Sequence, residues 1–271
     1  MSSNIQPIYF NATVYKQGLG ISVASNTTLT IASGVARSIA DDADLNLGDF
    51  FGYSASPQAN TTLNAAVNGV NGLDTGTLAA STVYNVFVIG DLAGYNPTAT
   101  LLSLSQTAPL LPSSASAGIF PSGYNTFRHI GFAVTNASTQ FIVMLQSGIG
   151  SVVYYKFNVP IEVLTAGTSA TQAAVDLSAV VPAVNGIPVL LGCDFAANAA
   201  GDTAKLCYSG GTIASSHDII TGQVAGSTAH MTPSMMIPAA VVSGKAKIDY
   251  ILSTASASLS LWVTGFVDLL A

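Results

Sequence analysis

Charged side chains are scarce in this chain of 271 residues. Asp, Glu, Lys and Arg together form 7% of it, whereas a typical globular protein has about 25%. The seven basic residues are spread from Lys16 to Lys247, and the formal net charge is −6. We therefore expect no nucleic-acid partner, because such a partner requires clustered cations to neutralise its phosphates.

With so little charge, the surface must be built largely from Ser, Thr, Asn, Ala and Gly. Such a surface does little to keep copies of a protein apart by charge repulsion. A cytosolic enzyme normally carries several times more charge. The composition therefore favours a protein whose faces are occupied by other subunits.

Long apolar runs are also missing, since Ser, Thr, Asn, Gly or Pro interrupts each one well before the length of about 18 residues that a membrane span needs. The opening Met1-Ser2-Ser3-Asn4 is not a basic segment followed by an apolar one. We therefore expect that the protein does not insert into a membrane. We expect it to mature in a cytoplasm. Apolar residues still reach 49%, beside 25 Gly and 11 Pro, so the chain can build a core and disorder is not expected.

Residues that favour helices are few, and Glu162 is the only glutamate. Short segments rich in β-branched and aromatic residues recur instead between turn residues, which is the pattern of strands. The clearest are 27–31, 83–89, 130–134, 141–145, 152–157, 189–193, 247–252 and 259–267. The sequence predicts an all-β protein of two tandem antiparallel β-sandwich domains, jelly-roll-like, with little or no helix.

A break at Asn158-Val159-Pro160 sets the predicted domain boundary. Residues 1–158 would form an N-terminal sandwich with an extended arm over the first ten residues, and 159–271 a C-terminal sandwich. Each would close on a strand pair that contains aromatic residues, at 141–157 and 247–270. The proline-containing stretch 105–123 is predicted to be a long loop of the first domain.

One hairpin can be predicted in register. Segments 188–196 and 203–208 flank the turn-rich link 198–202. A turn centred near Ala200 would place Cys193 opposite Cys207, within reach of a disulfide. In a reducing cytoplasm two neighbouring free thiols are favoured, and the disulfide stays open as the alternative.

Asp74-Thr75-Gly76 matches the Asp-Thr-Gly of aspartic proteases, in which two carboxylates share a proton. The chain has one copy, so catalysis would require a symmetric dimer. The preceding 68–72 is a turn rather than the apolar strand that such a loop needs. The sequence therefore favours Asp74 as the cap of a turn before the strand at Val83, with the dimeric protease as a remote alternative.

An acidic cluster contains the four carboxylates Asp41, Asp42, Asp44 and Asp49. It lacks the glycine and glutamate of a calcium-binding EF-hand loop, since Leu47 and Tyr53 stand at those positions. We interpret it as a solvated loop rather than an ion site.

The remaining chemistry-bearing residues are isolated. Ser216-His217-Asp218 has the residue types of a hydrolase triad, but adjacent side chains cannot form the relay. His129 and His230 stand alone, and the two cysteines have no zinc-site spacing. We expect no catalytic, cofactor-binding or metal-binding residues and no enzymatic activity.

Several segments resemble the structural proteins of tailed bacteriophages. Residues 63–82 and 84–91 carry the resemblance, followed by the Pro-x-Gly-Tyr of 121–124 and the Arg-x-Ile-Gly of 128–131. Residues 33–37, 248–251 and 261–268 also fit. The similarity covers most of 30–135 and 245–271.

This resemblance implies a non-enzymatic virion component that decorates the head or forms a collar or head-fibre element. It would be assembled in the host cytoplasm, form a homo-oligomer, expected to be a trimer, and pack against phage capsid or tail proteins or neighbouring copies. The alternative is a tail-fibre adhesin that binds host surface glycan through exposed aromatic rings. Tyr95 and Tyr124 are candidates for that role, whereas Trp262, in the apolar run 259–267, is expected in the core.

Overall fold

The computed structural model describes residues 16–48, 60–93, 96–112, 123–149, 152–212, 218–221 and 228–269, with the backbone alone at 148–149, 218–220 and 228–234. These residues form twenty strands and, within the described ranges, no helix. The predicted all-β fold of the sandwich class is therefore confirmed. Among these residues no helix is long or apolar enough to cross a bilayer.

Ten strands precede residue 135: β1 Lys16–Gly18, β2 Ile21–Val23, β3 Thr28–Ile31, β4 Gly34–Arg37, β5 Asp44–Leu47, β6 Thr61–Asn64, β7 Gly72–Leu73, β8 Val83–Gly90, β9 Ala99–Ser103 and β10 Thr126–Val134. They form three sheets with the orders β1-β4-β5, β2-β3-β6 and β10-β8-β9-β7. Apart from the parallel pair β7 and β9, neighbouring strands in these sheets are antiparallel.

Strand β8 shows why this part of the chain holds together. Its alternate side chains point to opposite faces of the sheet, as in any strand. Val86 and Val88 pack into one apolar cluster with the small sheets, whereas Phe87 and Ile89 pack into a second cluster on the other face. Both faces are covered, so the strand is a nearly continuous apolar run.

The other ten strands are β11 Met144–Ile149, β12 Val152–Gly167, β13 Ala173–Asp176, β14 Pro188–Ala196, β15 Thr203–Tyr208, β16 Asp218–Thr221, β17 Thr228–Pro238, β18 Ala240–Val242, β19 Lys245–Leu252 and β20 Ser258–Asp268. One sheet has the order β11-β12-β20-β14-β17, and the other has the order β13-β19-β15-β16 with β18 paired to β19. The two sheets enclose one large core, in which the Tyr155 and Phe266 rings stack with centroids 4.8 Å apart.

Strand β12 runs without interruption through the expected boundary at 158/159. It pairs with β20 on both sides of that point, as at Val153↔Asp268 and Ile161↔Val263. The pair β11–β12, which the sequence placed in the first unit, thus belongs to the C-terminal sheet. Pro160, which has no backbone N–H, lies where the β12–β20 pairing shifts register between Lys156 and Ile161. The strand therefore bulges at this proline and does not end there.

The predicted cysteine hairpin is wrong. Strand β14 pairs with β17 and β20, whereas β15 pairs with β16 and β19, so the two strands belong to different sheets. The link between them is a corner, tightened by the Asp202 carboxylate, which accepts hydrogen bonds from the backbone N–H groups of Asn198 and Ala199. Cys193 and Cys207 are both buried and free.

Candidate functional site

Asp74 has its carboxylate engaged in local structure. Its Oδ2 accepts a hydrogen bond of 2.5 Å from Ser103 Oγ and one of 3.1 Å from the backbone N–H of Leu110. The side chain thereby ties the turn after β7 to the segment that follows β9. These contacts favour the turn-stabilising role that the sequence suggested.

Two carboxylates of the acidic cluster pair with Arg37. The guanidinium donates through Nε to Asp41 Oδ1 at 2.7 Å and through Nη1 to Asp44 Oδ1 at 3.0 Å. Asp42 accepts a hydrogen bond of 2.6 Å from Ser38 Oγ, and Asp49 lies outside the described residues. In the described part of the chain, no three His, Cys, Asp or Glu residues are grouped so that they could hold a metal ion.

Several predicted positions cannot be placed in a site. Ser216, His217 and Tyr95 lie outside the described residues, and Asp218 and His230 are described by their backbone alone. Tyr124, a candidate for glycan contact, is instead buried, and its hydroxyl donates a hydrogen bond of 2.9 Å to the Pro97 carbonyl.

Trp262 is not in the core, contrary to the expectation from its apolar run. It is partly exposed and faces away from the core, opposite Glu162 of β12 and Gly192 of β14. The physical reason is strand alternation: Leu259, Leu261 and Val263 point into the core, so Trp262 points to the opposite face. The register of β20 with β14 shifts only after this point, from Leu191↔Val263 to Leu190↔Gly265, and this bulge brings Phe266 to the core face.

The face of the C-terminal sheet that points away from the core carries exposed apolar side chains. We call it the outer face and define it by Leu145, Tyr154, Leu190, Met236 and Trp262. The exposed fractions are 64% for Leu145, 43% for Tyr154 and 55% for Met236. Lys156 lies among them, opposite Leu145 and Gly265.

A groove of about 780 Å³ lies beside the middle of β12. Its lining includes the six consecutive residues 158–163, residues 135–137 and 141–143 from the β10–β11 connection, and Asp176, Ala179 and Val180. The lining contains two residues with carboxylates, Asp176 and Glu162. Burial acts to raise the pKa of Asp176, but hydrogen bonds from Lys245 Nζ at 2.6 Å and from Ser178 outweigh this and lower it to about 2. The sequence marked 158–160 only as a break.

Titratable residues also meet at a junction between β1, β10 and β20. Lys16 Nζ donates a hydrogen bond of 2.7 Å to the Ile130 carbonyl, and burial lowers the lysine pKa to about 8 although Asp268 acts to raise it. Burial and the nearby Lys16 charge lower the pKa of His129 to about 4, and no described residue forms a hydrogen bond with the buried His129 Nε2 atom. The lysine thereby links β1 to β10.

Comparison with known proteins gives little support for any family. No protein-family model matches the chain, and no curated protein matches its sequence. Among solved structures, the chain is similar to one described as "Structure of infectious bursal disease virus Gx strain", with 14% identity over 96% of this chain and 75% of that chain. The TM-score is 0.18, which is too low to carry an argument about fold or function.

Proposed function

We propose that the chain is a non-enzymatic structural component of a bacteriophage virion, which decorates the head or forms a collar or head-fibre element. It acts by packing sheet faces against the capsid or against neighbouring copies. The observation that carries the proposal is the outer face: Leu145, Tyr154 and Met236 are each more than two-fifths exposed on a protein with only 7% charged residues. Exposed apolar side chains grouped on one surface are typical of interaction sites.

The sequence resemblance to tailed-phage structural proteins supports the same function. It includes Arg128 and Ile130 on β10 and the strand β20, which supplies the centre of the C-terminal sheet. The partners are copies of the chain, with a trimer as the specific expectation, together with capsid or tail proteins. The protein would be assembled in the host cytoplasm and reside in the virion.

The experiment is the copy number of the chain per purified particle, measured by quantitative mass spectrometry against the major capsid protein. Hundreds of copies indicate decoration across the capsid lattice, and a few to a few dozen indicate a vertex, collar or tail position. Complete absence from particles contradicts the proposal. Sedimentation of the purified chain at micromolar concentration measures its oligomeric state, and a monomer argues against self-association through the outer face.

The tail-fibre adhesin is the second candidate, and the partly exposed Trp262 favours it. An indole ring on an outer sheet face can stack on the apolar face of a sugar ring. Tyr154 lies opposite Val267, five residues along β20 from Trp262, which is about 17 Å in an extended strand. Binding to host-surface glycan that is lost in Trp262→Ala but kept in Tyr154→Ala would support this candidate.

A further inference from the structure

Among the described residues, one edge of strand β12 has no pairing strand over half of its length. Strand β11 pairs with β12 as far as Met144↔Phe157, and the backbone N–H of Asn158 still bonds the Val143 carbonyl at 3.0 Å. Beyond this point β12 pairs with β20 alone, on its other edge. No described strand covers the free edge of 159–167. The pairing of this stretch with β20 shifts register between Glu162 and Leu164 and again before Gly167, so the backbone groups on the free edge are regular only near Ile161 and Glu162.

The groove described above lies along this free edge. Side chains of successive strand residues point to opposite faces of a sheet, yet residues 158–163 line the groove without a gap. Such lining arises when a groove runs beside a strand rather than over one face of the sheet. A further strand would lie about 4.8 Å from β12 and occupy this space.

The walls of the groove select an apolar occupant with a positive charge. Val143, Val159, Ile161 and Val180 are apolar, and Val143 and Val159 are more than half exposed. Asp176 already pairs with Lys245. Glu162 is exposed and makes no ion pair with any described residue, so its carboxylate is the uncompensated charge of the groove.

The same charge argues against a second copy as the occupant. Antiparallel pairing of β12 with β12 of another copy, centred on Val163, would place Glu162 of each copy opposite Leu164 of the other. The two Glu162 side chains would then be diagonal neighbours about 7–8 Å apart, which is unfavourable for like charges. A segment that brings a lysine or arginine to this position pairs favourably instead.

We propose that the groove beside β12 binds an extended, apolar peptide segment of a partner protein, which adds a strand to the free edge of residues 159–167 and places a lysine or arginine against Glu162. Main-chain hydrogen bonds supply affinity, and the groove walls and Glu162 supply specificity. The inference goes beyond the proposed function and does not depend on it, because strand addition requires only the groove.

The experiment is selection of a displayed library of random nonapeptides on the full chain. We expect the enriched peptides to alternate apolar residues and to contain Lys or Arg at one shared position. Their affinity should fall about tenfold for Glu162→Lys, because an attractive pair becomes a repulsive one. Exchange of the peptide cation for Glu should restore binding to that variant.

Three comparisons keep the result interpretable. Ala255→Lys adds a positive charge at an exposed turn away from the groove and should leave affinity unchanged. Ala179→Phe adds bulk inside the groove and should reduce binding, with circular dichroism confirming the fold of each variant. A selected peptide is also methylated at every second backbone nitrogen, in two versions that together cover all nitrogens. Methylation of the N–H groups that face β12 should abolish binding, whereas methylation of those that face away should not.

The inference is overturned if no peptide is enriched, or if the enriched peptides bind Glu162→Lys and Ala179→Phe as tightly as the parent chain. Pro160 and Glu162 would then serve only to keep an exposed edge from pairing with other chains. This outcome is distinct from failure of the virion proposal, which depends on the copy number in particles.

Discussion

The ammonium of Lys16 and the carbonyl of Ile130 are joined by a hydrogen bond of 2.7 Å across 114 positions of the chain. The bond ties β1 to the strand whose end reaches the C-terminal core through Phe132 and Val134. Burial lowers the pKa of this lysine from its ordinary 10.5 to about 8. The contact therefore makes folding depend on pH.

Between pH 8 and 10.5 the unfolded chain keeps the Lys16 proton while the folded protein releases it, so the free energy of unfolding should rise with pH. Relative to Lys16→Met, we expect the parent protein to gain about 2 kcal/mol from pH 7 to pH 10. Urea unfolding at pH 7, 8, 9 and 10 measures this, with Lys156→Met as the control at an exposed lysine. Parallel curves for the parent and Lys16→Met would contradict the prediction.

His129 should lower the stability of the protein on the acid side. Because burial and Lys16 lower its pKa from 6.5 to about 4, the unfolded chain takes up a proton in that interval that the folded protein refuses. The free energy of unfolding should therefore fall by about 3 kcal/mol as pH drops from 7 to 4. His129→Phe, which keeps a ring beside Phe87 and Phe132, should lack this component, and an equal acid sensitivity in both proteins would refute it.

Gly131 should not tolerate a side chain. A Cβ at this position would overlap the Tyr155 hydroxyl oxygen and lie 2.8 Å from Ile21 Cδ1. We expect Gly131→Ala to lower the free energy of unfolding by about 1–3 kcal/mol, as overpacking does elsewhere. Gly20→Ala is the matched control, since the nearest atom to its Cβ is Ala32 Cβ at 4.0 Å. In a double-mutant cycle, Tyr155→Phe should relieve part of the cost by removing the hydroxyl.

Removal of the Asp74 carboxylate should loosen the segment after β9. Asp74→Ala leaves Ser103 Oγ and the Leu110 N–H without their acceptor, and we expect a loss of about 1–3 kcal/mol. Asp74→Asn keeps one acceptor oxygen and should lose less. Limited proteolysis with chymotrypsin should show faster cleavage after Leu110 in Asp74→Ala. If the chain itself shows proteolytic activity and Asp74→Asn abolishes it, the result would instead support the alternative of a dimeric aspartic protease.

The two cysteines should be inert in the folded protein. Burial and Asp194 raise the pKa of Cys193 to about 11, and burial and Asp249 raise that of Cys207. The nucleophilic thiolate is therefore rare at pH 8. We expect a disulfide reagent to label both thiols in urea and neither in the folded state, and an oxidant to form no Cys193–Cys207 crosslink. Native labelling at the rate of a free cysteine would contradict this.

The strands were predictable because a buried strand is a short apolar run in the sequence. Segment 83–89 matches β8, and 247–252 lies within β19, since both are apolar runs bounded by turn residues. Features that depend on inserted residues within a strand were not predictable. The bulge at Thr264 brings both Val263 and Phe266 to the core face, and the shift at Pro160 lets a strand continue where a boundary was expected.

The sequence also did not reveal which strands pair with each other. The link between Cys193 and Cys207 has the composition of a hairpin turn, yet it crosses from one sheet to the other. Turn residues determine that the chain reverses or bends, whereas the sheet in which the next strand lies depends on which edges are available. The groove beside β12 escaped prediction for the same reason, since it exists only where β11 ends.

The continuity of β12 has a consequence for how such a chain can diversify. A genetic exchange with its junction at residue 158 would separate Val153, Tyr155 and Phe157 from the strands that bury them. A junction in the turn between Asn136 and Gln140, where the Asn136 N–H bonds the Gln140 carbonyl at 2.8 Å, cuts no described strand. Of the described buried residues of that core, it separates Phe132 and Val134 alone. In genetic exchange between related chains, residues 141–271 should therefore be inherited together.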